Sequence, residues 1–169
     1  LPKLFQLAEL ESQRAGRVGM EVGSIRERII VSLLIYRFGE ENVYTNIPIT
    51  EPEIDVKLFG LPISIKTKTG TNLSGVKISW TVDAKNAAEF QKGYSPSCDM
   101  IFVQINWEKT GYLFYFPVEI QLDILKFLGK ERYIKLPSEG TNPRGVELSS
   151  EALKLLTEHK NCFKAPIEW

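Results

Sequence analysis

An aspartate and a lysine, Asp55 and Lys66, have the residue types and the setting of a hydrolytic metal site. Asp55 follows Pro52-Glu53-Ile54, and residues 63–69 alternate apolar and polar side chains as a strand does, which places Ser64 and Lys66 on one face. A short hairpin between the two segments brings Asp55 beside them. A carboxylate at such a corner can bind a hard cation such as Mg²⁺, and a lysine can orient or deprotonate a water. These groups suit phosphodiester hydrolysis.

The elements that must position this hairpin alternate between helices and strands. Helices are predicted at residues 2–15, 24–38, 83–94, 118–128 and 149–159, and strands at residues 43–49, 54–59, 63–69, 76–82, 100–107, 112–117 and 133–135. This order predicts an α/β fold with a central mixed β-sheet and helices on its faces, formed by one nuclease domain over residues 1–169.

The helix before the hairpin has its own start and stop signals. Residues 16–23 contain three glycines and are predicted to form a loop. Ser24 and Glu27 match a capping box, in which the glutamate bonds back to the first amide, and Gly39 marks the end of the helix. The predicted apolar face consists of Ile25, Ile29, Leu33 and Tyr36.

The composition fits a globular protein and limits the kinds of site it can build. Of the 169 residues, 43% are apolar, and the formal net charge is zero, which disfavours a simple electrostatic nucleic-acid binder. A nuclease also needs acidic residues for its metal, however, and these offset basic residues elsewhere. One histidine and two separated cysteines disfavour a His-rich centre or a zinc site.

The cellular compartment is predicted from the absence of a recognisable membrane span or signal peptide in the sequence. No apolar run is long enough to cross a bilayer, and the first residues do not resemble a signal peptide, so a soluble, cytoplasmic protein is expected. Cys98 and Cys162 have no CxxC partner, as expected in a reducing compartment. The sequence begins at Leu1 and not at Met, which leaves open whether further residues precede it.

Residues 20–105 resemble the PD-(D/E)xK nuclease superfamily, and within it the type II restriction endonucleases. Pro52-Glu53-Ile54-Asp55 matches the family's proline-led aspartate, and Ser64-Ile65-Lys66 matches its acid-x-lysine strand. Glu27 matches the glutamate that many members carry on the preceding helix. The resemblance implies a restriction-endonuclease-like sheet, Mg²⁺ dependence, double-stranded DNA as substrate and a homodimer within a restriction system.

The resemblance also assigns roles to the site residues. Asp55, the Ile65 carbonyl and Glu27 would bind the metal, Lys66 would position the attacking water, and Ser64 would support them. Ser64 departs from the family pattern, which has an acid there, so Glu27 or Asp83 becomes the replacement carboxylate.

Each assignment has a structural alternative. Asp55 could be a surface acid beside a turn, and Lys66 a solvated lysine on an edge strand. Glu27 could serve only the capping box, and Asp83 could cap the helix it opens.

Three loop regions are predicted to contact DNA. Arg17 and Met20 lie in the glycine-rich segment, where a methionine could wedge between bases, although it could equally pack in the core. Lys68, Asn72 and Lys77 flank the second loop and could contact phosphates. Asn142 and Arg144, in the third loop, could read base edges or form a plain polar connection.

The segments 14–23 and 141–145 resemble those of a restriction enzyme that cuts within CGCG, so a short palindrome, CGCG among the candidates, is the expected target. Two other functions stay open. One is a repair or junction-resolving nuclease of the same fold, and the other is a non-catalytic DNA-binding protein, which Ser64 and the zero net charge would suit.

Overall fold

The computed structural model describes residues 1–14, 16, 20–48, 51, 53–79, 84–137 and 145–169, with only the backbone for Met20 and Glu21. The helices are α1 (Pro2–Arg14), α2 (Met20–Phe38), α3 (Ala84–Gly93), α4 (Val118–Leu128), α5 (Lys130–Tyr133) and α6 (Ser150–Glu158), with a 3-10 turn at Glu40–Asn42. The strands are β1 (Val43–Tyr44), β2 (Val56–Leu58), β3 (Leu61–Thr69), β4 (Lys77–Ser79), β5 (Asp99–Ile105), β6 (Thr110–Phe116), β7 (Ile134–Lys135), β8 (Val146–Leu148) and β9 (Phe163–Glu168).

Six strands form the main sheet in the order β1-β2-β3-β5-β6-β9. The central pair β3 and β5 is parallel, and the other neighbours are antiparallel. Helices lie on both faces of this sheet. The structure therefore confirms the prediction of an α/β fold with a central mixed sheet flanked by helices.

The hairpin between β2 and β3 forms as predicted. Val56 pairs with Ile63 and Leu58 with Leu61, so Phe59 and Gly60 alone make the turn. Both have positive φ, 51° and 82°, which is the geometry of the two-residue turns that match the twist of the strands. The Asp55 amide donates to the Ile63 carbonyl at 3.0 Å, which extends the pairing one residue beyond β2.

Strand β3 separates two hydrophobic cores. Ile63 and Ile65 are buried with Phe5 of α1 and Ile30 of α2 on one face. On the other face, Ser64 and Lys66 lie beside Met100 and Phe102 of β5, the latter two in a core that α3, α4 and α6 complete. Alternation along β3 thus divides its apolar residues from its polar ones.

The parallel pairing of β3 with β5 requires a crossover connection, which contains β4 and α3. Strand β4 does not join the main sheet. It belongs to a second, three-stranded sheet in the order β4-β8-β7, with antiparallel neighbours. This second sheet was not predicted.

The prediction for the start of α2 is wrong. The helix begins at Met20, so Met20 is helical and not in a loop, and Ser24 lies a full turn inside the helix, where it cannot be the N-cap. A glycine inside a helix costs only about 1 kcal/mol relative to alanine, so Gly23 does not stop it. The capping-box interpretation of Glu27 is therefore excluded.

The predicted apolar face of α2 is right at Ile29, which packs against the core, and wrong at Tyr36. Tyr36 is 89% exposed, whereas Ile30 is buried and Arg26 is only 4% exposed. The helix carries apolar side chains around most of its circumference, so their spacing does not single out one face. The Arg26 guanidinium is ion-paired with Glu9 of α1 and donates to Thr69 Oγ1 at 3.0 Å, and burial lowers the pKa of Arg26 to about 10.

Several short elements differ from the prediction. The strands predicted at residues 43–49 and 54–59 are shorter in the structure, and β8, β9 and α5 were missed. Strand β9 contains Pro166, which an edge strand tolerates because one side of it makes no ladder hydrogen bonds. In the described part of the chain, no helix is long and apolar enough to cross a membrane.

Truncation of Phe102 tests the core beside the site. Phe102 is fully buried, with ring centroids 5.8 Å from Phe114 and 6.2 Å from Phe116. Phe102→Ala should lower the free energy of unfolding by about 3–5 kcal/mol in urea titrations. Phe127→Ala, at a side chain that is 74% exposed, should change it by less than about 0.5 kcal/mol. Equal losses in the two variants would contradict this packing.

Candidate active site

The carboxylate of Asp55 is bound to β3 through one of its oxygens. Oδ2 accepts hydrogen bonds from the Ile65 amide at 2.6 Å, from Lys66 Nζ at 3.0 Å and from Ser64 Oγ at 3.3 Å. Strand alternation puts the Ser64 and Lys66 side chains on the face toward Asp55, and the hairpin brings Asp55 level with them. The structure therefore brings together the residues predicted at this corner.

Asp55 and Lys66 are both largely shielded from solvent. Their side chains are 24% and 15% exposed, and Lys66 lies on a central strand. Neither a surface turn acid nor a solvated lysine on an edge strand fits these positions. Partial burial strengthens the attraction between the two charges, because the effective dielectric is lower than in water.

Glu27, from α2, is electrostatically coupled to the same corner. The pKa of Glu27 is raised to about 7, mainly by burial and secondly by the negative charge of Asp55, while the positive charge of Lys66 opposes both effects. The charges of one carboxylate and one lysine on the hairpin thus both act on Glu27.

This donor set fits a hard divalent cation. Asp55 and Glu27 supply carboxylate oxygens, the ligands preferred by Mg²⁺, which keeps several waters and needs only one or two carboxylates. Among the described residues there is no cluster of three His, Cys, Asp or Glu that could hold a metal by themselves. Any cation here would thus complete its coordination with carbonyl, phosphate or water oxygens.

The turn that precedes Asp55 makes contacts that were not predicted. Tyr94 OH donates to Glu53 Oε1 at 2.6 Å, and Ser97 Oγ donates to Glu53 Oε2 at 2.6 Å. Glu53 lies within the Pro52-Glu53-Ile54-Asp55 motif. No periodicity or spacing in the sequence indicates that its hydrogen-bond partners lie about forty residues later. The pKa of Cys98 is raised to about 12, mainly by burial and secondly by the charge of Glu53, so Cys98 stays a neutral thiol.

The residues predicted to contact DNA are only partly described. Lys68 is half-buried near the end of β3, Asn72 is exposed in the loop after it, and Lys77 lies in β4 of the second sheet. Met20 is the first residue of α2. The residues Arg17, Asn142 and Arg144, and also Asp83, the alternative replacement carboxylate, were predicted to have roles in the site but lie outside the described residues.

Comparison with a solved structure defines the class of this protein. A structure described as "Restriction endonuclease in complex with substrate DNA" shares 60% sequence identity with the chain, with a TM-score of 0.94, over 99% of this chain and 81% of that one. The chain is a restriction endonuclease, an enzyme class that generally uses divalent metal ions. The family described as "Restriction endonuclease ThaI" matches residues 1–169, and the chain belongs to this family. No curated protein matches it.

The pKa of Glu27 predicts a pH dependence of stability. The metal-free folded protein holds the Glu27 proton up to about pH 7, whereas an unfolded glutamate releases it near its ordinary value of 4.5. The folded state therefore binds more protons in this window, and its free energy of unfolding should fall as pH rises through it. Urea titrations in EDTA should show this loss in the wild type and a smaller one in Glu27→Gln. Parallel pH profiles of the two proteins would contradict the assignment.

Proposed function

We propose that the protein is a Mg²⁺-dependent type II restriction endonuclease of the PD-(D/E)xK kind that hydrolyses double-stranded DNA at a short palindrome. One observation carries the proposal: Asp55 Oδ2 accepts from the Ile65 amide at 2.6 Å and from Lys66 Nζ at 3.0 Å, which places an acid and a lysine together on the hairpin. The charges of Asp55 and Lys66 also act on Glu27, which makes this helix glutamate the proposed second acid.

Asp55, Glu27 and the Ile65 carbonyl are the proposed ligands of the metal. The three hydrogen bonds that the Asp55 carboxylate accepts from described residues all fall on Oδ2, so Oδ1 would be the oxygen available to the metal. The bound cation would supply charge stabilisation for the phosphate and a more acidic water. Ionised Glu27 is needed for binding, so a cation must displace the proton that the metal-free site holds.

Lys66 and Ser64 have different proposed tasks. The Lys66 ammonium donates to Asp55 Oδ2, and the side chain is 15% exposed. An ammonium has three hydrogens, so the others would orient the attacking water or a phosphate oxygen. Ser64 is fully buried and donates to the same oxygen, so it supports Asp55 and does not face the substrate.

The remaining DNA contacts are proposed from residue type and position. Lys68, Asn72 and Lys77, around the loop after β3, would contact phosphates, which position DNA without reading its sequence. Arg17 would approach the phosphate backbone, whereas Met20, Asn142 and Arg144 would face the bases, with CGCG as the candidate target. The free thiols Cys98 and Cys162 suit the reducing cytoplasm, where this reaction would occur.

Cleavage assays test the roles of Asp55 and Lys66. With CGCG-containing plasmid and Mg²⁺, the wild type should give discrete fragments, and EDTA should abolish them. Asp55→Ala and Lys66→Ala should each lower the cleavage rate on the order of 10²–10³-fold or more, because each removes charge stabilisation at the reacting phosphate. Lys57→Ala is a matched control, since Lys57 lies on neighbouring β2 and pairs with Glu51 at 3.0 Å.

The control should cleave at the wild-type rate. DNA binding by the wild type without cleavage in any divalent metal would instead favour a non-catalytic DNA-binding protein. A smear or nicking in place of discrete fragments would favour a nuclease without sequence specificity.

We propose that the active species is a homodimer. Cutting both strands of a palindrome requires two active sites related by the two-fold axis of the duplex, and a C2 dimer supplies them. Analytical ultracentrifugation with an uncleaved cognate duplex in Ca²⁺ should therefore show two protein chains per duplex. One chain per duplex, in a preparation that makes double-strand cuts in Mg²⁺, would disprove the dimer.

A further inference from the structure

The turn before Asp55 is joined to the segment that leads into β5 by the carboxylate of Glu53. Tyr94 OH donates to Oε1 at 2.6 Å, whereas Ser97 Oγ and the Ser97 amide donate to Oε2 at 2.6 Å and 3.3 Å. Both oxygens of the carboxylate are thus occupied. Hydrogen bonds to an ionised acceptor are roughly twice as strong as those between neutral groups, so this link is a firm one.

An open pocket of about 490 Å³ lies against this turn. Its lining includes Ile54 of the turn, Ile78 and Phe90, and also the three residues of the link, Glu53, Tyr94 and Ser97. Dense packing ordinarily holds a segment in place, and the described residues leave this space unfilled. The Glu53 hydrogen bonds therefore restrain the turn at the edge of this pocket.

The partners of Glu53 belong to a rigid part of the fold. Tyr94 is only 6% exposed, and its ring centroid lies 5.2 Å from that of Phe90 and 6.2 Å from that of Tyr133. Ser97 immediately precedes Cys98, which is buried, and β5 begins at Asp99. Glu53 thus binds the turn to the main sheet and its core.

We propose that Glu53 is a positioning residue for the metal site. By fixing the turn, it keeps Asp55 where Oδ2 accepts the β3 donors and Oδ1 would be available to a divalent cation. Glu53 is not among the proposed metal ligands, because its carboxylate accepts from Tyr94 and Ser97. This inference rests on the proposed function in assigning Asp55 to the metal.

The test compares two glutamates of the same turn. Glu53→Ala removes the link, whereas Glu51→Ala removes a carboxylate that is ion-paired with Lys57 at 3.0 Å. Mn²⁺ serves as the probe, with free Mn²⁺ measured by electron paramagnetic resonance. Loss of a group that orients a metal ligand typically costs 10–100-fold in affinity, so Glu53→Ala should weaken Mn²⁺ binding by about that factor. Glu51→Ala should bind Mn²⁺ as the wild type does.

A second readout reports on Asp55 without a metal. The Ile65 amide donates to Asp55 Oδ2 at 2.6 Å, so its proton resonance in a ¹⁵N–¹H spectrum should move upfield when Asp55 shifts away. Glu53→Ala should produce this shift and Glu51→Ala should not. Glu53→Gln keeps an acceptor for Tyr94 OH and should recover part of both effects.

Unchanged Mn²⁺ affinity and an unchanged Ile65 resonance in Glu53→Ala would overturn the inference, as would equal effects in Glu51→Ala. If Glu53→Ala does not fold, Tyr94→Phe and Glu53→Gln decide: each should weaken Mn²⁺ binding severalfold, and wild-type behaviour in both would overturn it. A wild type that neither binds Mn²⁺ nor cleaves DNA would refute the proposed function instead, and the Ile65 resonance would still test whether Glu53 positions Asp55.

Discussion

The parallel pairing of β3 with β5 is the constraint on which the rest of the structure depends. It sets Ser64 beside Met100 and Lys66 beside Phe102, which fixes the polar face of β3 against an apolar core. Because parallel strands cannot be joined by a tight turn, the chain must cross through β4 and α3 before it returns. That crossover ends beside the turn before Asp55. The pairing of β3 with β5 therefore positions both Lys66, which donates to Asp55, and Tyr94, which donates to Glu53.

The charges at the corner balance each other only in part. Asp55 has Lys66 and the Ile65 amide as close partners, whereas Glu27 is half-buried and subject to the charge of Asp55, so the metal-free site retains a proton near neutral pH. At the proposed metal site, a divalent cation would supply positive charge and would make ionised Glu27 favourable. A shortage of positive charge beside carboxylates is what a functional metal site needs, since a fully neutralised cluster would have little affinity for a metal.

Ser64 has a physical explanation within this balance. It is fully buried and donates to the oxygen that also binds Lys66 and the Ile65 amide. An ionised acid at that position would be buried beside Asp55 and repel it, at a cost that Lys66 alone would have to offset. The other negative charge that acts at this corner, Glu27, comes from a separate element, α2.

The sequence by itself determined the hairpin and the Asp55–Lys66 pairing, because strand alternation, the turn at Gly60 and the spacing between the two residues depend only on near neighbours. Helix α4 was predicted to the residue, since its ends have local signals. Only the tertiary structure decided that α2 begins at Met20, that Ile30 and not Tyr36 faces the core, and that β9 joins the sheet edge. It also decided the coupling of Glu27 to Asp55 and the link from Glu53 to Tyr94. These features come from contacts between residues far apart in the chain, whose energies override local propensity and leave no periodic trace in the sequence.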